Sequence, residues 1–212
     1  KWLAEHDEFE QAQDAYKKAG HASESLYMLR TLAANAVVER RFAAAARYLA
    51  VLARESALAR LAVAGSDARE VAAEYTAARL RADLYYAYDA VYRYTDEPFT
   101  DQSPEAILQV SRYLLSTLFK EEAPKGISKT YSLYALAKQA HMLGAHKLAR
   151  FAADKLQQHY VLPVAWRDEV DLFALRAAAH PAVDADEVLP ICFRCQTQNP
   201  LLNMNGDRCI AC

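Results

Sequence analysis

Apolar residues recur at helical spacing along most of the chain, and small residues take equivalent places in each copy of the pattern. The copies are Phe9, Ala12, Ala15, Tyr16 and Ala19; Phe42, Ala45, Tyr48, Leu49 and Leu52; and Leu148, Ala149, Ala152, Ala153 and Leu156. The step from Phe9 to Phe42 separates the first two copies, and the distance from Ala12 to Ala149 is close to four such steps. A period of about 34 residues with a small residue at the helix crossing is typical of tetratricopeptide-like helix pairs.

Capping residues and the uneven distribution of proline mark the helix boundaries. No proline precedes Pro98, whereas four prolines lie between Pro163 and Pro200. We therefore predict helices in the first part of the chain and loops or short strands at its end. Asp67 with Glu70 resembles a capping box, and Ser103 and Ser128 are N-cap residues. The predicted helices include one at Phe9 that stops at Gly20, one after Asp67 through Tyr94, Pro104 to about Phe119, Lys129–Met142, His146 to about His159, and about Pro163 to Ala178.

All four cysteines lie at the C-terminal end, as Cys192-Phe-Arg-Cys195 and Cys209-Ile-Ala-Cys212. A Cys-x-x-Cys turn places two sulfurs on one side of a tight loop, and two such knuckles supply four thiolates in a tetrahedron, which suits zinc. We predict a strand over Leu189–Phe193 and a turn at Asn205-Gly206, the outline of a zinc ribbon. Cys192, Cys195, Cys209 and Cys212 are therefore the predicted ligands of one structural zinc ion.

Other chemistry at this quartet stays open. Iron in a rubredoxin-like centre uses the same ligands, and redox-active cysteine pairs are disfavoured because no βαβ setting is present. Four thiolates around zinc carry a net charge of about −2. Arg194 and Arg208 each sit beside a ligand, and they either offset this charge or are simply solvated.

The fold that we predict is mainly α, a tetratricopeptide-like α-solenoid of helix pairs over residues 1–180 followed by a small four-cysteine zinc-ribbon module over residues 181–212. The chain starts without Met and without a signal-peptide pattern, so we expect it to be a fragment from a reducing compartment. Charged residues make up 25% of the chain and its net charge is −2, which predicts no nucleic-acid partner. No apolar stretch reaches about 18 residues, so direct membrane insertion is not expected.

Two further groups of residues receive structural interpretations. Tyr85, Tyr88 and Tyr92 fall on one helical face and form either a peptide groove or, as we favour, a packed helix interface with hydroxyls at its edge. His141 and His146 flank a turn but have no third partner in the sequence pattern, so a surface or helix-end role is expected. No phosphate loop, nucleophile elbow or catalytic metal motif is present, and we predict that the chain is not an enzyme.

Several sequence segments, most of them near the C-terminal end, are specific to one family. The C-terminal segments are Leu162-Pro-Val-Ala-Trp-Arg-Asp-Glu-Val-Asp-Leu-Phe, Leu189-Pro-Ile-Cys-Phe-Arg-Cys, Asn199-Pro-Leu-Leu-Asn203 and Cys209-Ile-Ala-Cys. Together with Trp2-Leu-Ala, Asp7, Phe9, Ala12-Gln13 and Ala19-Gly20, they resemble the 122-kDa-class subunit of intraflagellar transport complex A (IFT-A) over the whole chain.

This resemblance implies a function that composition does not show. It implies a scaffold or adaptor subunit of an intraflagellar transport complex, acting in retrograde ciliary transport and ciliary membrane-protein import. The implied partners are other complex A subunits and membrane-cargo adaptors, and the implied location is the cilium or flagellum, the ciliary base and the cytoplasm. The alternative is a coat or membrane-tethering subunit of similar solenoid architecture. A RING-type ubiquitin ligase is a third interpretation, but it needs eight ligands and four are visible.

Overall fold

Helices account for most of the chain, in agreement with the predicted mainly α class. The structure is a computed structural model that describes residues 2–6, 8–63, 65, 67–96, 102–120, 122–203 and 208–212. Within these ranges the helices are α1 Trp2–Glu5, α2 Phe9–Lys18, α3 Ala22–Val38, α4 Phe42–Leu61, α5 Ala68–Asp96, α6 Pro104–Leu118, α7 Lys129–Met142, α8 His146–His159 and α9 Val164–Ala179. A short 3₁₀ helix, Asp186–Val188, precedes the cysteine module.

The helix starts follow from the capping residues that the sequence displays. The Ser103 side chain accepts a hydrogen bond from the Ala106 N–H at 3.2 Å, and Pro104 opens α6. Ser128 accepts from the Tyr131 N–H at 3.4 Å at the start of α7. The predicted starts of both helices are therefore confirmed.

The predicted capping box at the start of α5 is half formed. The Asp67 carboxylate accepts from the Arg69 N–H at 2.9 Å, as a capping residue does. The Glu70 carboxylate, which would return a bond to Asp67, lies instead 3.6 Å from the guanidinium of Arg60. An ion pair to the preceding helix thus replaces the second half of the box.

The repeat is confirmed between Phe9 and Phe42, but the expected number of helix pairs before α8 was wrong. Phe9 and Phe42 each open a helix, and Ala12 and Ala45, three positions on in each helix, are fully buried. Among the described helices, three pairs precede α8, rather than the four that the distance from Ala12 to Ala149 suggested. The reason is that α4 and α5 are long, with 20 and 29 residues, so one pair takes up nearly two periods of the chain.

Contacts divide the chain into two units. The first comprises Lys1–Asp89 and Pro124–Ile127, and in it α2 packs on α3 and α3 on α4. Tyr85 and Tyr88 are 5% and 2% exposed and pack against Phe42, with the Tyr88 and Phe42 ring centres 4.8 Å apart. The Tyr85 hydroxyl donates to the Lys125 carbonyl at 2.7 Å. These tyrosines form the packed interface that we favoured, and the peptide groove is excluded at Tyr85 and Tyr88.

The second unit comprises Ala90–Ala123 and Ser128–Cys212, so it contains helices as well as the cysteine module. Here α6 packs on α7, α7 on α8, and α8 on α9. Leu201, from the module, is 4% exposed and belongs to the same core cluster as Leu108, Leu115 and Leu148. The module is therefore anchored in the helical core of its unit. A domain boundary between residues 180 and 181 stays a prediction.

Among the described helices, none combines the length and the apolarity that crossing a membrane would require.

Candidate metal centre

The segment that leads into the cysteine module is fixed on the turn between α7 and α8. The Ala185 N–H donates to the Gly144 carbonyl at 3.1 Å, and Ala145 and Asp184 form an antiparallel bridge. The Asp184 carboxylate accepts from the Leu148 N–H at 3.0 Å. Because Ala145, the residue before α8, has no capping side chain, Asp184 supplies the cap from 36 positions away. This contact sets where the module begins.

The first knuckle is closed by backbone hydrogen bonds around Cys192 and Cys195. The Cys192 N–H donates to the Thr197 carbonyl at 2.9 Å, and the Gln196 N–H donates back to the Cys192 carbonyl at 2.8 Å. Gln196 has a φ of 57°, a left-handed conformation that non-glycine residues rarely adopt. This tight return places both sulfurs on one side of the loop.

An asparagine that follows the first knuckle holds the second knuckle in place. Asn199 accepts with its side-chain oxygen from the Ile210 N–H at 2.9 Å, so residues after the first knuckle fix the backbone of the second. The Asn203 amide donates to the Arg208 carbonyl at 2.6 Å, which ties Arg208, next to the ligand Cys209, to residue 203. On the helical side, Arg112 of α6 donates to the Leu201 carbonyl at 3.1 Å.

These supports bring the four sulfur atoms together. All four Sγ atoms lie within 4.8 Å of one another, with Cys192 to Cys212 at 3.7 Å and Cys195 to Cys209 at 3.5 Å. No pair of these cysteines is joined in a disulfide, in which sulfurs are about 2 Å apart. A tetrahedral ion with sulfur ligands at about 2.3 Å has sulfur–sulfur edges of about 3.8 Å. The quartet therefore has the dimensions of a tetrahedral thiolate site, for zinc or for iron.

The sulfurs differ in how easily they lose a proton. Hydrogen bonding with the Thr197 side chain and the Thr197 backbone N–H lowers the pKa of Cys195 to about 6. The backbone N–H groups of Ala211 and Cys212 lower the pKa of Cys209. The other three sulfurs crowd Cys212 and raise its pKa to about 12. Four thiolates at these distances would repel one another strongly. Full ionisation of the quartet therefore requires a cation at its centre.

Two predictions about the module have different outcomes. The predicted strand over Leu189–Phe193 was wrong, because Ile191 forms only an isolated bridge with Gln198 and the described residues contain no strand there. The bonds from the Cys192 N–H to Thr197 and from the Asn199 N–H to Pro190 flank this one bridge; the turn of the knuckle ends the pairing beyond Cys192, and Pro190 has no N–H to continue it on the other side. The predicted turn at Asn205-Gly206 lies outside the described residues.

A histidine cluster supplies the third imidazole that the sequence pattern lacked. His180, directly after α9, stacks on His146 with ring centres 4.3 Å apart, and His141 lies 6.1 Å from His146 and 6.3 Å from His180. Burial, with the nearby charge of Arg176, lowers the pKa of His141. His141 lies in the last turn of α7 and His146 opens α8, which are the helix-end positions expected for them.

Stacked helix pairs that end in a four-cysteine knuckle module define a class: tetratricopeptide-repeat proteins with a zinc-ribbon domain. Two family models match the chain, "IFT122, TPR domain" over residues 1–131 and "IFT122, zinc ribbon domain" over residues 185–212. The chain belongs to the IFT122 family.

Relatives from vertebrates match the whole chain. Proteins described as intraflagellar transport protein 122 homologs from Danio rerio and Homo sapiens are each 42% identical to it over 214 aligned residues. The homolog from Mus musculus is 42% identical over 213 residues. The alignments cover 100% of this chain and 18%, 17% and 18% of those proteins, respectively, so the chain spans about a fifth or less of their length.

Proposed function

We propose that this chain is part of a scaffold subunit of an intraflagellar transport complex, which its family suggests is complex A, and that it acts through protein–protein contacts. The observation that carries the proposal is the 42% identity along the entire chain to intraflagellar transport protein 122 homologs, across both the helical and the zinc-ribbon domains. Helical-repeat stacks serve as extended binding surfaces. Under this proposal the partners are other complex A subunits and membrane-cargo adaptors.

The finer parts of the proposal concern transport and place. We propose that the whole protein acts in retrograde ciliary transport and in the import of ciliary membrane proteins, at the cilium or flagellum, the ciliary base and the cytoplasm. These roles rest on the family, to which the chain belongs by its sequence and its two domains. A catalytic role is not proposed, because a site closed by four protein ligands leaves no position for a substrate.

We further propose that Cys192, Cys195, Cys209 and Cys212 together hold one zinc ion, which stabilises the module rather than reacting. The distances among the four sulfur atoms support this proposal. A module of about thirty residues buries too little apolar surface to fold unaided, so the ion supplies folding free energy. Leu201 in the helical core adds the remaining anchor.

The experiment is affinity purification of the tagged full-length protein from ciliated cells, followed by mass spectrometry. We expect to recover the other subunits of complex A. A protein carrying Cys192→Ser should keep the partners that bind its helices and lose those that bind the cysteine module. Recovery of vesicle-coat or tethering subunits in place of transport subunits would favour the alternative scaffold class. Measuring retrograde velocity in rescued null cells then tests the transport role separately.

A further inference from the structure

Both faces of α9, the last α-helix in the described part of the chain, carry apolar side chains. One face is buried in the core of the second unit through Val170, Phe173 and Ala177. On the opposite face, Val164, Leu172 and Leu175 are 77%, 42% and 70% exposed. The outer face of a terminal helix in a repeat stack is ordinarily polar, because no neighbouring repeat covers it. The exposed apolar stripe on α9 therefore has the character of an interaction surface.

Two charged side chains lie beside this stripe, and with Val164, Leu172 and Leu175 they make up what we call the outer face of α9. Asp168 stands four positions before Leu172 and Arg176 four positions after it, so each lies about one helical turn from that leucine. Both side chains are exposed, and in the part of the chain that the structure describes no ion pair includes either one.

The surroundings of these two charges differ from those of the other carboxylates on α9. Glu169 lies 3.2 Å from a lysine ammonium of α7, and Asp171 accepts from a glutamine side chain of α8 at 2.7 Å. Burial lowers the pKa of His141 and the charge of Arg176 lowers it further, so Arg176 lies near an imidazole. The outer face thus presents one acidic and one basic group to a molecule that packs on it.

These two charges match each other when two copies of α9 run in opposite directions. If the copies cross at Leu172, Asp168 of one copy lies at the same height as Arg176 of the other, because both positions are equally far from the crossing point. A two-fold interface makes every contact in duplicate, so two such ion pairs form. A parallel pair would instead place Asp168 beside Asp168 and Arg176 beside Arg176.

We propose that the outer face of α9 packs on the same face of a second copy of this protein, antiparallel, with Leu172 at the two-fold axis and two Asp168–Arg176 ion pairs across it. Charge complementarity selects the second copy, because this one face supplies both the acid and the base that the contact needs. The pairing goes beyond the scaffold role proposed above. Its consequence, that two scaffold subunits are linked, rests on that role.

The size of the contact sets the expected affinity. A helix of 16 residues is about 24 Å long, and a contact confined to it lies at the small end of specific interfaces, so we expect dissociation in the micromolar range. The apolar side chains supply most of the affinity. Exposed ion pairs add little to it, whereas like charges brought together across an interface oppose association, so the two charges mainly fix the orientation.

The first test is sedimentation velocity of the zinc-loaded full-length protein over a range of micromolar concentrations. We expect a monomer–dimer equilibrium that Leu172→Glu/Leu175→Glu weakens at least tenfold. The matched control is Leu58→Glu/Leu61→Glu, which makes the same changes at two leucines of α4 that have the same spacing and are 55% and 52% exposed. The control protein should associate like the unmodified protein.

The second test uses the symmetry of the charges. Asp168→Arg alone and Arg176→Asp alone should each weaken association at least tenfold, because each places like charges at both ion-pair positions. An equimolar mixture of the two variants should associate like the unmodified protein, because every contact in the mixed pair again joins an acid and a base. Arg167→Asp, five positions from Leu172 and on a different side of α9, is the matched control and should have no effect.

The mixture separates pairing from a change in helix stability, because two destabilised proteins do not restore each other. Circular dichroism of every variant confirms that its helices are formed. The proposal is overturned if the full-length protein stays monomeric, if the variants of the outer face associate normally, or if the mixture stays as weak as its components. A monomeric protein that loses a complex A subunit through Leu172→Glu/Leu175→Glu would also overturn it and assign the face to that subunit. Co-purification of complex A subunits with the unmodified protein is a separate readout, so failure of the scaffold role and failure of this pairing are distinguishable.

Discussion

Asp184 caps a helix that begins far from it in sequence, and replacing it by alanine should loosen the junction between the helices and the cysteine module. Its carboxylate accepts from the Leu148 N–H at 3.0 Å, and both residues are buried, at 8% and 1% exposure. Loss of a cap costs about 1 kcal/mol, and a buried N–H left without an acceptor costs about 1–3 kcal/mol. Because these two effects describe overlapping losses, we expect Asp184→Ala to lower the free energy of unfolding by about 2 kcal/mol.

The matched control for this change is Asp184→Asn. The amide oxygen keeps an acceptor for the Leu148 N–H, so only the interaction of the charge with the start of α8 is lost. Such an interaction is worth about 0.3–1 kcal/mol. The asparagine variant should therefore be clearly more stable than the alanine variant.

Two measurements report on the junction. Urea unfolding can be followed by the fluorescence of Trp166, which stacks on Tyr134 with ring centres 4.1 Å apart within the second unit. Hydrogen exchange with mass spectrometry should show faster exchange in the first turn of α8 in Asp184→Ala. Equal stability of the alanine and asparagine variants, or an unchanged α8, would refute the capping role.

Three further outcomes are expected. Leu201→Ala removes a 4% exposed side chain from the core that the module shares with the helices, so urea unfolding should show the free energy of unfolding of the second unit lowered by about 2–5 kcal/mol. A loss below about 1 kcal/mol would contradict the role of Leu201 in anchoring the module. Gln196 has a φ of 57°, so Gln196→Val should weaken zinc affinity in chelator competition while Gln196→Gly keeps it, and equal affinities would argue against a strained knuckle. Burial holds the pKa of His141 below its usual value of about 6.5, so the unfolded chain binds more protons and the free energy of unfolding should fall as pH drops through about 6.5. A His141→Gln variant should show a flatter dependence of this free energy on pH, and an unchanged dependence would count against the role of His141.

The helices were predictable wherever a local signal determines a boundary. Ser128 with the residues after it predicted α7 as Lys129–Met142, and the turn at Gly144, with a φ of 75°, separates it from α8 as expected. These features depend on a few neighbouring residues. The length of α5 was predicted as well, as a helix after Asp67 through Tyr94; the number of helix pairs was missed because dividing the distance from Ala12 to Ala149 by a constant period ignores that length.

Long-range contacts explain what the sequence could not provide. The cap that Asp184 makes on α8 and the stacking of His180 on His146 join residues more than thirty positions apart, and no spacing rule links them. The cysteine quartet is the exception among distant contacts. Its paired spacing indicates a shared site, and the structure brings the four sulfurs together, whereas the strand expected beside it depends on pairing that the first knuckle interrupts.

X-ray absorption at the zinc edge, with elemental analysis of the purified chain, tests the four-cysteine zinc site most directly. We predict one zinc per chain with four sulfur neighbours at about 2.3 Å. Iron in the same quantity would keep the site but change the ion. Protein that is folded and metal-free, or zinc with nitrogen or oxygen neighbours in place of the four sulfurs, would contradict a closed thiolate centre.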